Sequence, residues 1–341
     1  IYPNEYYAKE GPKGFGLKPV GTGPYKVVEV EQSKRIVFKK NENYFKASPK
    51  GQPSIGTIVQ RTIPEMTSQI AELMTGGVDW IYMVPPDQFE NLAKVPGITT
   101  VSGEDMRIAF LQMDAAKRCG ATPFANLEVR RAVNHAIDRA AIAKNLVGGA
   151  SRVIDTACFP TQFGCDQNVM KYDYNPAKAR ELLAKAGYPQ GFETDIYGYR
   201  DRTYLEAIVG YLREVGIKAN LKFMQYSALR DKSYADQTPF FKMTWGSYGM
   251  NDMSAITGHY FKFEKVDFAR DPQVRDWLIE GDTSVDPAVR KAAYAKALKR
   301  IAEQAYWTPL FSYVANYAFT QDLDFTPHVD AVPRFFLAKW K

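Results

Sequence analysis

Segments typical of strands alternate with segments typical of helices along most of the chain, and this alternation limits the fold more than any other sequence feature. Apolar stretches that favour strands lie at residues 25–30, 35–39, 55–63, 78–84, 108–113, 217–223 and 308–320. Helix starts carry a capping residue, followed in three cases by proline, at Asn126, Asn175-Pro176, Asp271-Pro272 and Asp286-Pro287. Alternating strands and helices predict an α/β fold.

Two of the helices can be placed in more detail. One is predicted to start at Pro64, which suits a first helical position, and to stop at Gly76-Gly77. The other follows Asn126, with apolar residues at helical spacing that continue as far as Ala140.

Composition and charge exclude several classes of protein. The 341 residues carry a formal net charge of +6, but Lys and Arg alternate with acids instead of forming a stripe, so a nucleic-acid partner is not expected. No apolar run reaches the roughly 18–20 residues of a membrane span. The sequence starts at Ile1 without a signal-peptide pattern, and a processed or truncated N-terminus is expected.

The three cysteines allow two interpretations. Cys158 and Cys165 bracket a short segment that contains Pro and Gly, which suits a small disulfide formed in an oxidising compartment. The alternative is a pair of reduced thiols. Cys119 is the third cysteine, and it is either a free thiol or bonded to a cysteine in sequence not present here. Neither Cys nor His recurs at the spacing of metal ligands, so no metal is expected.

A search for catalytic groups finds only one pair. His135 and Asp138 lie three residues apart on the helix after Asn126, where they could form a catalytic dyad or simply a local hydrogen bond on a structural helix. The motifs of a nucleophile elbow, a zinc protease and a phosphate-binding loop are absent from the sequence. The sequence therefore favours a protein that is not an enzyme and needs no cofactor.

Several segments, read together and in order, resemble one family. They are Pro19–Tyr25 with the following hairpin and 41–45, then 74–79, Leu127–Arg139, and 174–183 with 186–189. This pattern is similar to that of the bacterial extracellular solute-binding proteins of family 5, the peptide-, opine- and nickel-binding components of ABC importers. The segments extend over most of the chain, and Leu127–Arg139 is the most specific of them.

The resemblance implies a two-lobed fold of the periplasmic-binding-protein type (type II, cluster C) with the N-terminal part of the large lobe missing. Residues 1–106 and 314–341 are then expected to form a partial large lobe, and residues 107–313 the second lobe. Hinge crossings are expected near 107–112 and 307–313.

The resemblance also implies a function. Such a protein captures a small peptide or peptide-like solute between its lobes, outside the cytoplasm, and delivers it to the transmembrane permease subunits of an ABC importer. A monomer in the periplasm, or anchored at the cell surface, is expected. Two other interpretations stay open at this stage: a hydrolytic enzyme that uses His135, and a chaperone or sensor-type binding module without a transport role.

Two stretches are expected to contact the solute. The first contains Tyr197, Tyr199 and Arg200, and Arg200 suits a carboxylate unless it is only a surface residue paired with Asp201. In the second, Trp245 resembles the tryptophan that faces the cleft in the family.

In peptide-binding relatives an acid stands three residues after this tryptophan, where this chain has Tyr248. Asn251 and Asp252 lie close by and complete the second stretch of candidates. Gln112, at the first crossing, is the last candidate. The lack of an acid at position 248 departs from the pattern that recognises an α-amino group.

Overall fold

The computed structural model describes residues 2–247 and 249–341. The chain divides into two compact units. Unit 1 comprises Ile1–Gly103 and Ala315–Lys341, and unit 2 comprises Glu104–Val314. Strands and helices occur in both, so the predicted α/β class is confirmed. None of the helices in the described part of the chain is long and apolar enough to cross a membrane.

Unit 1 is built from two separate stretches of sequence. Its elements are α1 (Asn4–Leu17), β1 (Tyr25–Glu31), β2 (Arg35–Lys40), β3 (Thr57–Arg61), α2 (Met66–Met74), β4 (Trp80–Tyr82), α3 (Pro86–Leu92), the first part of β5 (Ile98–Met113), the last part of β9 (Trp307–Thr320), β10 (Leu323–Asp324) and β11 (Lys339–Trp340). β1, β2 and β3 form an antiparallel sheet, while β4 pairs antiparallel with residues 317–319 of β9.

The core of unit 1 joins the two stretches. Tyr317, Phe319 and Phe325, from the C-terminal stretch, pack in one apolar cluster with Ile55 from the N-terminal stretch. A second cluster contains Leu73 and Ile81 together with Ala318 of β9. Residues 315–325 are therefore an integral part of the core of unit 1, and burial of these side chains stabilises it.

Unit 2 contains the remaining elements. They are the later part of β5, α4 (Leu127–Ala136), α5 (Arg139–Ile142), α6 (Pro176–Lys185), β6 (Phe192–Gly198), α7 (Arg202–Glu214), β7 (Ile217–Phe223), α8 (Tyr226–Tyr234), β8 (Phe240–Trp245), α9 (Ser254–Tyr260), α10 (Pro272–Thr283), α11 (Pro287–Glu303) and the first part of β9. A 3₁₀ turn at Pro123–Ala125 precedes α4, and a π-helical turn at Ala143–Val147 follows α5.

The central sheet has the strand order β4-β9-β5-β8-β6-β7. β5 is antiparallel to β8, whereas β6 is parallel to both β8 and β7. Alternate residues point to opposite faces of a strand. Accordingly Phe240 packs in one apolar cluster, with α4, α6 and α7, while Phe241 and Met243 pack in a second, with α9, α10 and α11.

The capping residues predicted from the sequence are confirmed. The side chain of Asn126 accepts a hydrogen bond from the backbone N–H of Glu128, and Asn175, Asp271 and Asp286 cap α6, α10 and α11 in the same way. A helix N-terminus leaves backbone N–H groups without partners, and these side chains provide an acceptor.

Two details of the helix predictions were wrong. α2 begins at Met66, because Glu65 keeps an extended backbone, so Pro64 lies before the helix and does not start it. The helix after Asn126 ends at Ala136, because Ile137 is extended, and Asp138 then caps a new helix through the N–H of Ala141.

Candidate functional site

The candidate site lies where β6 and β8 end. These strands are parallel, with Tyr197 opposite Phe241, so their carboxyl ends lie at the same edge of the sheet. In open α/β sheets this edge is where ligands bind. The chain leaves β6 as Tyr199, Arg200 and Asp201, and these residues meet side chains from β8 and β9.

Asp201 is the centre of a buried polar cluster. Its Oδ2 accepts hydrogen bonds from Lys242 Nζ at 2.8 Å and from the hydroxyl of Tyr313, and Arg200 Nε lies 3.2 Å from it. The backbone of Asp201 is left-handed, with φ of 57°, a conformation that Asp tolerates better than most residues. This turn directs the carboxylate towards Lys242 instead of capping α7, to which it makes no side-chain hydrogen bond.

Burial dominates the electrostatics of this cluster. The side chain of Lys242 is 1% exposed, and burial lowers its pKa to about 8 although the Asp201 charge opposes the shift. Burial also disfavours the Asp201 carboxylate, but the charge and hydrogen bond of Lys242 and the hydrogen bond of Tyr313 outweigh it, so the pKa of Asp201 is lowered. Burial raises the pKa of Tyr313 well above its usual value, which keeps the phenol protonated as a donor.

Arg200 is the partly exposed member of the cluster. Its side chain is 38% exposed, and its guanidinium lies 5.1 Å from the ring centre of Tyr313. The expectation that Arg200 pairs with Asp201 is met, but the pair is not a simple surface pair, because Lys242 and Tyr313 share the same carboxylate. A guanidinium held by one edge and stacked on a ring can offer its remaining N–H groups to a planar anion.

A second arginine lies on the neighbouring strand. Arg107 of β5 donates from Nη1 to the hydroxyl of Thr244 at 3.3 Å, and Tyr199 is hydrogen-bonded to the same hydroxyl at 2.8 Å. The sequence marked Arg107 only as the start of a hinge crossing, not as a candidate site residue. The pairing of β5 with β8 brings it beside Thr244, and the sequence itself carries no signal of this pairing.

Trp245 and Tyr197 lie on the other face of the sheet. The Trp245 indole is half-buried and stacks on His259, with ring centres 5.1 Å apart. The Tyr197 hydroxyl donates to Asp195 at 3.3 Å, and its ring packs against the same apolar cluster as Trp245. The ring of Tyr199 packs against this cluster too, but its hydroxyl contacts Thr244. The structure therefore brings the Tyr199 hydroxyl to Thr244 and Arg200 to the Asp201 carboxylate that Lys242 also contacts.

The loop after Trp245 is held by the segment that contains the disulfide. Cys158 and Cys165 form a disulfide, and Gln162 between them donates to Ser247 Oγ at 2.6 Å and to the carbonyl of Met250 at 3.0 Å. The N–H of Phe163 donates to the carbonyl of Asn251 at 3.0 Å. Gln162 is 4% exposed, so these contacts are shielded from water.

The remaining candidates in this loop differ in their surroundings. Asn251 is exposed. Asp252 forms an ion pair with Arg290 at 2.7 Å, and its other carboxylate oxygen accepts from the N–H of Ser254. The carboxylate of Asp252 is thus already used within the protein. Tyr248 lies outside the described residues.

Gln112 and His135 have structural surroundings. Gln112 is 1% exposed and donates to the carbonyl of Val266, so its side chain presents no surface to a solute. His135 contacts Asp173 through Nδ1, which lies 2.9 Å from the carbonyl and 3.1 Å from the carboxylate. His135 and Asp138 were predicted to form either a catalytic dyad or a local hydrogen bond. Both alternatives were wrong, because Asp138 instead caps the next helix.

The described residues offer no metal centre. Among residues 2–247 and 249–341, no three or more His, Cys, Asp or Glu side chains are grouped to hold a metal ion. Cys119 is a free thiol. Burial, with Asp114 nearby, raises the pKa of this thiol to about 12, so it is not an activated nucleophile.

Comparison with known proteins gives a family-level match. The model of a family described as "Bacterial extracellular solute-binding proteins, family 5 Middle" matches residues 1–266. The glutathione-binding protein GsiB of Escherichia coli is 27% identical over 321 residues, which cover 90% of this chain and 60% of that protein. Heme-binding protein A of Haemophilus influenzae is 28% identical over 245 residues, covering 68% and 43%. The chain thus spans 60% or less of the length of these relatives.

Solved structures show the same fold. The periplasmic binding protein DppA from Helicobacter pylori, in complex with the peptide STSA, matches with a TM-score of 0.79 at 24% identity, covering 100% of this chain and 68% of that one. NikA from Brucella suis, in complex with Fe(III)-EDTA, matches with a TM-score of 0.83 at 22% identity, covering 95% and 69%. These likenesses confirm the predicted periplasmic-binding-protein type of fold.

Proposed function

The chain belongs to family 5 of the bacterial extracellular solute-binding proteins, and on this basis we propose that it binds a small peptide or peptide-like solute outside the cytoplasm for delivery to an ABC permease. The two lobes are then residues 1–106 with 314–341 and residues 107–313, within a few residues of the bounds of units 1 and 2, with hinges near 107–112 and 307–313. The protein acts as a monomer and does not transform its solute.

Arg200 is the observation that carries this proposal. Its guanidinium is fixed by Asp201 and by the ring of Tyr313, yet 38% of its side chain remains exposed at the carboxyl ends of β6 and β8. We therefore assign Arg200 to the carboxylate of the solute. Tyr199, fixed through Thr244, lies beside it and offers an aromatic wall. Asn251 and Trp245 remain candidates for further contacts.

The ligands named for similar proteins agree with a carboxylate site. Glutathione, named for the Escherichia coli relative, and the peptide STSA, named for the Helicobacter pylori structure, both carry free carboxylates. Asp252 is neutralised by Arg290, so it does not supply a free carboxylate for an α-amino group. We infer that binding depends more on the acidic end of the solute than on its amino end.

Calorimetry with one peptide and its amide tests this proposal. The chain should bind tri-alanine more tightly than tri-alanine amide, and the variant Arg200→Gln should lose that preference. A hydrogen bond to a charged group contributes about 1.5–3 kcal/mol, so the expected loss is roughly 10- to 100-fold in Kd.

Arg202→Gln is the matched control, because Arg202 lies two residues away in an exposed pair with Glu206. It should retain the preference. Equal binding of peptide and amide by the unmodified protein would contradict the assignment of Arg200. Mass spectrometry of the same samples checks for turnover: cleavage of the peptide, abolished by His135→Ala, would overturn the proposal in favour of a hydrolase.

A further inference from the structure

We infer that Arg107 binds a second acidic group of the solute, so that the solutes preferred by this protein are acidic peptides with two separated carboxylates. This inference rests on the proposed function, because it concerns the same site. It adds a contact that neither the family pattern nor the sequence assigned.

The surroundings of Arg107 leave its charge only partly satisfied. Its side chain is 24% exposed, and its nearest carboxylate oxygen, on Asp105, lies 3.8 Å from Nε. Its hydrogen bond from Nη1 goes to the neutral hydroxyl of Thr244. By contrast, Arg200 and Lys242 both contact the Asp201 carboxylate, at 3.2 and 2.8 Å. Of the two arginines, Arg107 therefore has the greater capacity to bind another anion.

The lack of a side chain at Gly246 leaves space for the Arg107 guanidinium. A Cβ added at Gly246 would lie 2.7 Å from Nη2 and 2.9 Å from Cζ of Arg107, closer than such atoms approach. The absence of a side chain at position 246 lets the flat guanidinium lie against the loop after β8. This loop is in turn held by Gln162 through Ser247, so the position of Arg107 is defined from both sides.

The two arginines are spaced for two groups on one small molecule. Lys242 and Thr244 are two residues apart on β8 and point to the same face, which separates them by about 7 Å. Arg200 is linked to the Lys242 end through Asp201, and Arg107 to the Thr244 end. Carboxylates separated by several bonds, as in a peptide with an acidic side chain, can contact both.

The charges at the site agree with this class of solute. Arg107, Arg200 and Lys242 are three cations, against the two acids Asp105 and Asp201. The group carries one excess positive charge, which matches the single net negative charge of a peptide with two carboxylates and one ammonium group. Because Arg107 has only the long contact to Asp105, a second carboxylate there gains a direct charged partner at little further cost.

Tripeptides that differ only in charge test the role of Arg107. Three pairs are measured by calorimetry with the unmodified chain: Glu-Ala-Ala against Gln-Ala-Ala, Ala-Glu-Ala against Ala-Gln-Ala, and Ala-Ala-Glu against Ala-Ala-Gln. At least one Glu peptide should bind roughly 10-fold or more tightly than its Gln partner. The variant Arg107→Gln should reduce this ratio to about one while it keeps the affinity for the Gln peptide.

Two further variants separate recognition from general damage. Gly246→Ala should also reduce the ratio, because the new methyl group displaces the guanidinium. Arg152→Gln, which removes an exposed arginine paired with Glu104 at 2.7 Å, should leave the ratio unchanged. An unchanged Glu/Gln ratio in Arg107→Gln overturns this inference alone. If the unmodified chain binds none of the six peptides, the proposed function fails first and this inference fails with it.

Discussion

Replacement of Asp201 by Asn should destabilise unit 2 strongly, because it leaves Lys242 buried without its counter-ion. Lys242 Nζ would retain Tyr313 at 3.1 Å and the carbonyl of Arg200 at 3.4 Å, both neutral groups. Removal of one partner from a buried ion pair costs about 3–5 kcal/mol. We expect the lower end, about 3 kcal/mol, because Asn keeps one acceptor and tolerates the left-handed backbone at this position.

The size of this effect should depend on pH. The folded pKa of Lys242 is about 8, below the usual value of 10.5, so between these values the unfolded chain binds more protons and stability rises with pH. In Asp201→Asn the folded pKa falls further, since the attraction of the carboxylate is lost. The free energy of unfolding of the variant therefore starts to rise at a lower pH than that of the unmodified chain. The difference between the two free energies should shrink as pH rises to 8.

Urea unfolding followed by tryptophan fluorescence measures this difference. A change of about 3 kcal/mol corresponds to a midpoint shift of roughly 1 M urea. The double variant Asp201→Asn/Lys242→Met should recover much of the loss, because an apolar residue replaces the unpaired charge. Glu206→Gln, in an exposed pair on the same helix, should cost less than about 1 kcal/mol. A shift for Asp201→Asn no larger than for Glu206→Gln, or one that grows from pH 6 to 8, would refute the reasoning.

Two further predictions concern local contacts. Gln162→Ala should lower the free energy of unfolding by about 1–3 kcal/mol and weaken solute binding, because it leaves Ser247 and the carbonyl of Met250 without their donor. Urea unfolding measures the first effect and calorimetry the second, and an unchanged affinity would contradict a role for this side chain in the site. Asn126→Ala should lower the free energy of unfolding by about 1 kcal/mol through loss of the α4 cap without changing solute affinity, and Asn126→Asp should restore stability in the same unfolding experiment.

The features that the sequence predicted best are local ones. A cap and its helix are separated by only two or three residues, so Asn126, Asn175 and Asp286 could be recognised without any knowledge of the fold. α1 went unrecognised because Gly11, with φ of 67°, and Pro12 interrupt it, and such residues normally end a helix.

The site was harder to predict because its contacts join distant residues. Lys242 lies in an apolar strand, and only its contact with Asp201, 41 residues earlier, explains why a lysine can be buried there. Arg107 reaches Thr244 across 137 residues, and Gln162 reaches Ser247 across 85. Spacing along the sequence carries no information about such pairs, whereas Arg200 could be named because it lies beside Tyr197 and Tyr199 and its guanidinium suits a carboxylate.

The division of unit 1 into two stretches has a consequence for synthesis of the protein. Unit 2 lies within Glu104–Val314, so its last strand residues leave the ribosome before the second stretch of unit 1 is made. β4 cannot pair until Tyr317–Phe319 has been synthesised, and the apolar cluster around Ile55 cannot be completed until Phe325 has been synthesised. During translation the earlier stretch therefore exposes apolar surface and an unpaired strand edge over the time needed to add more than 200 residues, about 10–40 s at roughly 5–20 residues per second. Binding by a chaperone over this interval would protect residues 55–84 more than any part of unit 2.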